Sequence, residues 1–214
     1  DSDSLEEIED ILDSLGLNLS KIDEHGRRAD SIVNGMLLHS RGVSGERSAT
    51  DLNALLEEYV NLAYHGLRAQ DTSFNITIER DYDESLEQIS VVPQDISRVF
   101  LNILNNACYT AHQRAQTADE GFAPTLWVRT KGVSDQVQIG IKDNGTGIPE
   151  EILNKIFEPF MTTKPTGSGT GLGLSISYEI IVDEHQGQID VDTREGEYTE
   201  FIITLPKNSE SESD

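Results

Sequence analysis

Over the first forty residues, Leu5, Ile8, Leu12, Leu15, Leu19, Ile22, Gly26, Ala29, Val33, Met36 and Ser40 recur at alternating spacings of three and four. This heptad seam predicts one long helix with a coiled-coil-like packing face. A lone helix leaves such a stripe uncovered, so the seam asks for a partner helix, and Gly26 and Ala29 suit close approach at their level. Gly42-Val43-Ser44-Gly45 breaks the pattern and marks a boundary.

Beyond the break, Asp51 stands before Leu52, Leu55, Leu56, Tyr59, Val60 and Ala63, which reads as a capped amphipathic helix. Phe74, Ile76 and Ile78 alternate as a strand. Ile96, Val99, Phe100, Ile103, Leu104 and Ala107 return to helical spacing. Leu126 with Val128, then Val137, Ile139 and Ile141, predict two more strands. A short helix is expected from about Pro149 to Phe157, with proline early, where its missing N–H costs nothing. A Gly/Thr-rich loop leads to a helix near Leu174 to Glu184, and Ile189 with Val191, then Phe201, Ile203 and Leu205, close the pattern as strands. The tail after Pro206 is too polar to fold. This order is not the regular alternation of a doubly wound parallel sheet. It predicts an α+β two-layer sandwich, a mixed sheet covered on one face by helices. The expected domains are a helix and linker over 1–45, a globular domain over 46–206, and an acidic tail over 207–214.

Charge narrows the functions open to such a fold. The 214 residues hold 16 Lys and Arg against 39 Asp and Glu, a net charge of −23, which disfavours nucleic acid as a partner. An anionic ligand then needs local positive potential from helix N-termini, a metal ion or a few cations. The single cysteine, Cys108, excludes an intramolecular disulfide and a four-cysteine zinc site, and fits a reducing compartment. No apolar run reaches the ~18 residues of a membrane span and the first residues lack signal-peptide character, so the chain as given is expected to be soluble.

Three segments carry chemistry. In Asn102-Ile103-Leu104-Asn105-Asn106-Ala107, Asn102 and Asn106 share a helix face, with Tyr109 a turn beyond. Asparagine is a poor helix former, while its amide oxygen is a hard neutral ligand suited to Mg²⁺. The plainer reading is surface asparagines, or an amide held by neighbouring backbone. Asp143-Asn144-Gly145-Thr146-Gly147-Ile148-Pro149 offers a carboxylate to a donor such as adenine's exocyclic amine, and glycines that let backbone approach a flat base. Asn-Gly is also a hairpin signal, although a helix start follows it here. In Gly167-Ser168-Gly169-Thr170-Gly171-Leu172-Gly173-Leu174, backbone N–H groups open into a helix N-terminus, a setting for phosphate. It is neither a P-loop nor a Rossmann fingerprint, and by itself it also reads as a flexible linker.

In order and spacing together, the segment from about Thr50 to Pro206 closely resembles the ATP-binding domain of sensor histidine kinases. These belong to the ATPase superfamily shared with DNA gyrase, mismatch-repair and heat-shock chaperone ATPases. The resemblance implies the Bergerat-type ATP-binding fold, with ATP and Mg²⁺ as cofactors. By resemblance, Asn106 is the Mg²⁺ ligand, Asn102 and Tyr109 its neighbours, and Asp143 the adenine contact in a pocket shaped by Gly145 and Gly147. Phe157-Glu158-Pro159-Phe160 resembles the aromatic box. Gly169, Thr170, Gly171, Leu172 and Gly173 resemble the second glycine box, and Met161 to Ser168 a mobile lid in which Lys164 is a phosphate contact. Two departures stand out. Tyr109 occupies a position often Lys or Arg, and His185-Gln186-Gly187 replaces a frequent His-Gly-Gly.

The helix from His25 to Arg41 resembles the second helix of the family's dimerisation hairpin. None of His25, His39, His65, His112 or His185 carries the phosphoacceptor pattern of histidine, acidic residue and Asn/Thr-Pro. The resemblance therefore implies a fragment that begins near that second helix, binds Mg-ATP and does not phosphorylate itself. Its implied partners are the phosphoacceptor helix of the same protein, a second copy in the intact kinase, and the receiver domain of a response regulator. The implied setting is cytoplasmic, with inner-membrane anchoring of a longer protein left open. Two rivals are an ATPase of the gyrase or chaperone branch, with Gln94 in the neighbourhood of a water-activating residue, and a non-catalytic interaction module working through the seam helix.

Overall fold

The structure, a computed structural model, describes residues 45–165 and 169–207, with a few isolated positions before them. Apart from Leu15 and Gly26, which are helical, the heptad seam lies outside the described residues, as does the tail from 208 on. Of the described residues, 45–159 with 173–207 make one compact unit. Phe160–Leu172 belongs to a second unit and is described by itself.

In the larger unit, β1 (Ser48–Thr50) and β3 (Ile89–Val91) pair antiparallel as a small sheet. The main sheet comprises β2 (Thr77–Asp81), β4 (Thr125–Val133), β5 (Gln136–Asp143), β6 (Gln188–Arg194) and β7 (Tyr198–Pro206). Their order is β2-β4-β5-β7-β6, with β2 and β4 parallel and the other pairs antiparallel. The helices are α1 (Leu52–Gln70), α2 (Pro93–Ala115), the single turn α3 (Glu150–Leu153) and α4 (Gly173–Tyr178), which continues as a π-helical turn over Glu179–Glu184. The mixed sheet under helices is the expected α+β sandwich.

The helices form where sequence and burial agree. Asp51 caps α1, its Oδ1 accepting from Ala54 N at 3.0 Å. Leu52, Leu56, Val60 and Ala63 recur on its buried face. Helix α2 opens with Pro93 at a position that needs no N–H, and buries Ile96, Val99, Phe100, Ile103, Leu104, Ala107 and Ala111. Each large apolar side chain buried there contributes about 1.5–3 kcal/mol. These chains rest on the inner residues of the sheet: Leu126 and Val128, Val137, Ile139 and Ile141, and Phe201, Ile203 and Leu205.

Three expected elements differ from those found. Phe74 and Ile76 are buried but precede β2, which starts at Thr77. Asp71 Oδ1 holds that connector by accepting from Ser73 N at 2.8 Å and Ser73 Oγ at 2.6 Å, so the alternation there reflects burial without a ladder. The helix expected over Pro149 to Phe157 is one turn long. The helix expected to reach Glu184 is α-helical only to Tyr178, after which His185 N donates to Ile180 O, five residues back. Strands β1 and β3, three residues each, are too short for a period-two signal. Among the described residues no helix is long and apolar enough to cross a membrane.

Candidate functional site

The sheet's inner face is aliphatic along most of its length and turns polar at one end. There, Leu126 on β4 faces Asp143 on β5, Asp143 faces Thr199 on β7, and Thr199 faces Thr193 on β6. Asp143, the last residue of β5, is only 2% exposed. Its Oδ1 accepts from Thr110 Oγ1 on α2 at 3.1 Å and from Gly145 N at 2.7 Å. Burial nevertheless pushes the carboxyl up to about 7, outweighing both hydrogen bonds. A carboxyl in an apolar layer without a cation is costly, and such groups mark functional sites more often than structural ones.

The loop after Asp143 is built by close approach. Asn144 bridges the neighbouring connection, its Oδ1 accepting from Thr125 N at 2.8 Å and its Nδ2 donating to Ala123 O at 2.9 Å. A Cβ at Gly145 would stand 2.6 Å from the carbonyl carbon of Thr110 and 2.7 Å from Ala111 N, so α2 leaves room only for hydrogen. Gly147 has φ +66°, and a Cβ there would collide with the carbonyl oxygen of Arg194. Gly196 N donates to Thr146 O at 2.7 Å, and Ile148 N donates to Thr193 Oγ1 at 3.0 Å. Thr193 Oγ1 also lies 3.2 Å from Thr199 Oγ1, which carries the polar row across β6 and β7.

Asn102, Asn106 and Tyr109 lie on α2, the helix that brings Thr110 to Asp143. Asn102 Nδ2 donates to Gly173 O at 3.0 Å and to Ser177 Oγ at 3.3 Å, pinning the first turn of α4 against α2. Tyr109 OH accepts from Gln113 Nε2 at 3.5 Å. Gln94 sits in the first turn of α2, eight residues and about 12 Å of helix before Asn102. Asn106 lies a further turn away, about 18 Å of helix from Gln94, and the residue one turn before Asn106 is an amide, Asn102, with no basic oxygen to activate water.

The remaining sequence-expected residues fall in the second unit. Phe160 is 55% exposed and has φ +68°, a strained setting for an aromatic residue. Gly171, also at φ +68°, presses on the Phe160 backbone so closely that any Cβ would overlap it. The two ends of this segment therefore meet. Inside it, Lys164 N donates to Thr162 Oγ1 and Leu172 N to Thr170 Oγ1, each at 3.2 Å. A Cβ at Gly169 would come 2.9 Å from Thr162 Oγ1. Burial pulls the Lys164 ammonium below its usual range.

Four residues of the polar end escaped the sequence reading: Thr110, Thr193, Thr199 and Arg114. Two were within reach of it. Thr110 stands four residues after Asn106 on the same helix face, and Thr199 keeps the inward parity of Phe201. His185, by contrast, is a core residue. Val92 N donates to its Nε2 at 3.1 Å and its Nδ1 lies 2.8 Å from Ile180 O, which sets the neutral tautomer with Nδ1–H as donor. Burial lowers its pKa.

A five-stranded mixed sheet under helices, with a buried carboxyl and a close-packed glycine loop at its polar edge, defines the two-layer ATPase class of domain. Residues 91–209 match the model of the histidine kinase-, DNA gyrase B-, and HSP90-like ATPases, and the chain belongs to that family. Within it, the chain carries the ATP-binding catalytic domain of sensor histidine kinases. It is 34% identical over 187 residues to sporulation kinase E of Bacillus subtilis (strain 168), covering 87% of this chain and 23% of that protein. It is 34% identical over 172 residues to the sensory histidine kinase/phosphatase NtrB of Vibrio alginolyticus, covering 76% and 45%. The chain thus spans less than half the length of these curated relatives. A nucleotide-free catalytic domain of histidine kinase ThkA superposes with a TM-score of 0.62 at 31% identity, covering 76% of this chain and 96% of that one. Full-length ShkA in complex with AMPPNP, at 20% identity and a TM-score of 0.66, shares the fold over 86% of this chain and 36% of its own.

Proposed function

We propose that Asp143 accepts a hydrogen bond from the exocyclic amine of adenine, with Gly145 and Gly147 giving the base its close backbone walls. The supporting observation is the carboxyl itself, 2% exposed at the polar end of an aliphatic sheet face. Asn106 is proposed as the protein ligand of Mg²⁺, Asn102 as the residue that holds α4 beside it, and Tyr109 as a neighbour of the phosphates. Among the described residues no group of three or more His, Cys, Asp or Glu is placed to hold a metal ion. One amide oxygen fits a cation that takes its other oxygens from water and phosphate, as Mg²⁺ does. When bound, that ion neutralises charge on the transferring phosphoryl group. Phe160, Lys164, Gly169, Thr170, Gly171, Leu172 and Gly173 are proposed as the phosphate-side residues, with backbone N–H groups and one ammonium as donors.

In the whole kinase the reaction would break the bond between the γ-phosphorus and the ADP oxygen and form a phosphorus–nitrogen bond to a histidine ring. The ring nitrogen gives up its proton and ADP leaves. The phosphoryl group then passes to an aspartate of a response regulator. The partition into a dimerisation helix and linker (1–45), a catalytic domain (46–206) and a tail (207–214) belongs to the same reading, as does a homodimeric intact kinase. Because none of the five histidines carries the acceptor pattern, the chain as given should bind Mg-ATP without phosphorylating itself.

Isothermal titration with Mg-ADP, run on the parent and on Asp143→Asn, tests the reading. Binding by the parent and its loss in a folded variant support it. A parent that does not bind, or a variant that binds as well, sinks it.

A further inference from the structure

Arg114, next to last in α2, lies where a basic residue ordinarily meets the carbonyls of its own helix end. Its Nη1 reaches other loops instead. It donates to Asn144 O at 2.9 Å, to Gly145 O at 3.3 Å and to Glu197 O at 2.9 Å. The guanidinium carbon stands 4.7 Å from the centre of the Phe122 ring, which holds the side chain in place from behind. Three carbonyls from two separate connections therefore converge on one nitrogen.

The first of these carbonyls decides what the contact does. Asn144 C=O and Gly145 N–H are the two ends of one peptide group. Arg114 holds the oxygen end, while the nitrogen end donates to Asp143 Oδ1 at 2.7 Å. The plane is gripped from both sides, and both protein hydrogen bonds to Asp143 fall on Oδ1. Turning that peptide would turn the carboxylate with it. Gly145 has no space to follow, since Thr110 and Ala111 lie against it.

We propose that Arg114 is a positioning residue for base recognition, orienting the Asn144–Gly145 peptide so that Asp143 meets an amino-purine in a fixed direction. This rests on the adenine reading given above. Its consequence is selectivity as well as affinity, because a base without the exocyclic amine gains nothing from the alignment of Asp143. Inosine carries a carbonyl there and serves as the control.

The experiment titrates Mg-ADP and Mg-IDP into the parent, Arg114→Met and Arg114→Lys, and follows amide exchange at Gly145 and Gly147 without nucleotide. The parent should prefer ADP. Arg114→Met should lose about tenfold in ADP affinity, the scale of one or two hydrogen bonds, with IDP changed far less, so that the preference collapses. Gly145 and Gly147 should exchange faster in it. Arg114→Lys should restore most of the preference, because one ammonium nitrogen carries three donors. A Met variant with an unchanged ADP/IDP ratio, or with both affinities falling together, overturns the positioning role and leaves the adenine site standing. A parent that binds neither nucleotide overturns both.

Discussion

The two faces of the five-stranded sheet are built from alternate residues of the same strands and treat charge in opposite ways. On the outer face, Trp127 Nε1 donates to Glu79 Oε2 at 2.7 Å, and Arg129 Nη2 meets Glu200 Oε1 at 2.7 Å. Lys142 Nζ stands 4.1 Å from the centre of the Tyr198 ring, whose hydroxyl donates to Asp192 at 3.0 Å. These charges have cross-strand partners, and even Glu200, 9% exposed, has the Arg129 guanidinium against it. On the inner face of β4, β5 and β7, Asp143 is the one buried carboxylate among the described residues, and its partners are a hydroxyl and an amide. The outer charges are compatible with a stable sheet. The inner one works against stability, and ligand recognition is the reason it can be kept.

Asp143→Asn gives the largest separation of the two roles. ADP affinity should fall about a hundredfold, the scale of a buried hydrogen bond to a charged acceptor. Thermal unfolding of the ligand-free variant at pH 8 should be no lower than the parent's, because the variant has no carboxylate to desolvate. A clearly destabilised variant would make Asp143 structural and break the contrast between the faces.

A second buried polar residue sharpens the comparison. His185 is 1% exposed, yet both ring nitrogens are matched to backbone groups. His185→Ala strands Val92 N–H and empties a ring's volume, while Ile180 C=O keeps its bond from the backbone N–H of residue 185. It should cost about 2–3 kcal/mol in denaturant unfolding, with ADP affinity per folded molecule little changed. An equal loss of affinity would tie His185 to the site.

Next in size are pH effects. The Asp143 carboxyl, at about 7 when folded against an ordinary value of 3.8, holds its proton more tightly in the native state. Its contribution to stability is therefore complete below about pH 4 and is lost as pH rises through 7. Nucleotide affinity should run the other way, rising about tenfold per unit up to pH 7 and then levelling, since only the carboxylate accepts the adenine amine fully. His185, lowered by burial, acts on the acid side: its contribution is present above the unfolded value of 6.5 and is lost as pH falls below it. Cys108, pushed up to about 12 by burial and then by the charge of Asp143, stays neutral throughout. Titrations of ADP affinity and unfolding against pH check these signs, and Asp143→Asn should flatten the first curve.

How far the sequence could be read follows from what each feature depends on. The α2 stripe from Ile96 to Ala107 and the alternation of Val137, Ile139 and Ile141 are periodic, so they were legible. Phe74 and Ile76 show the limit, because alternate burial in a connector looks the same as alternate burial in a ladder. At the site, Asp143 and its glycines announce themselves locally. Arg114 does not, since its three acceptors lie 30, 31 and 83 residues away. Asn102 shows the same gap: its spacing from Asn106 is plain, while its hold on Gly173 needs α4 in place.

The smallest expected effect tests the outer face. Arg129 reaches Glu200 diagonally from β4 across β5, two strand spacings or about 9.6 Å, and Gly140, opposite Arg129, leaves room for its stem. Arg129 is half exposed, which screens its end of the pair, and Glu200, whose side chain is 11% exposed, keeps Lys142 opposite it in the ladder when Arg129 is removed. Arg129→Met should therefore cost about 0.5 kcal/mol, and less at high salt, with ADP affinity unchanged. The measurement is urea unfolding at two salt concentrations beside a nucleotide titration. A loss above about 2 kcal/mol would be buried-pair behaviour, and a shift in ADP affinity would couple the two faces through β5. Either result would undo the separation on which the reading of Asp143 as a recognition residue depends.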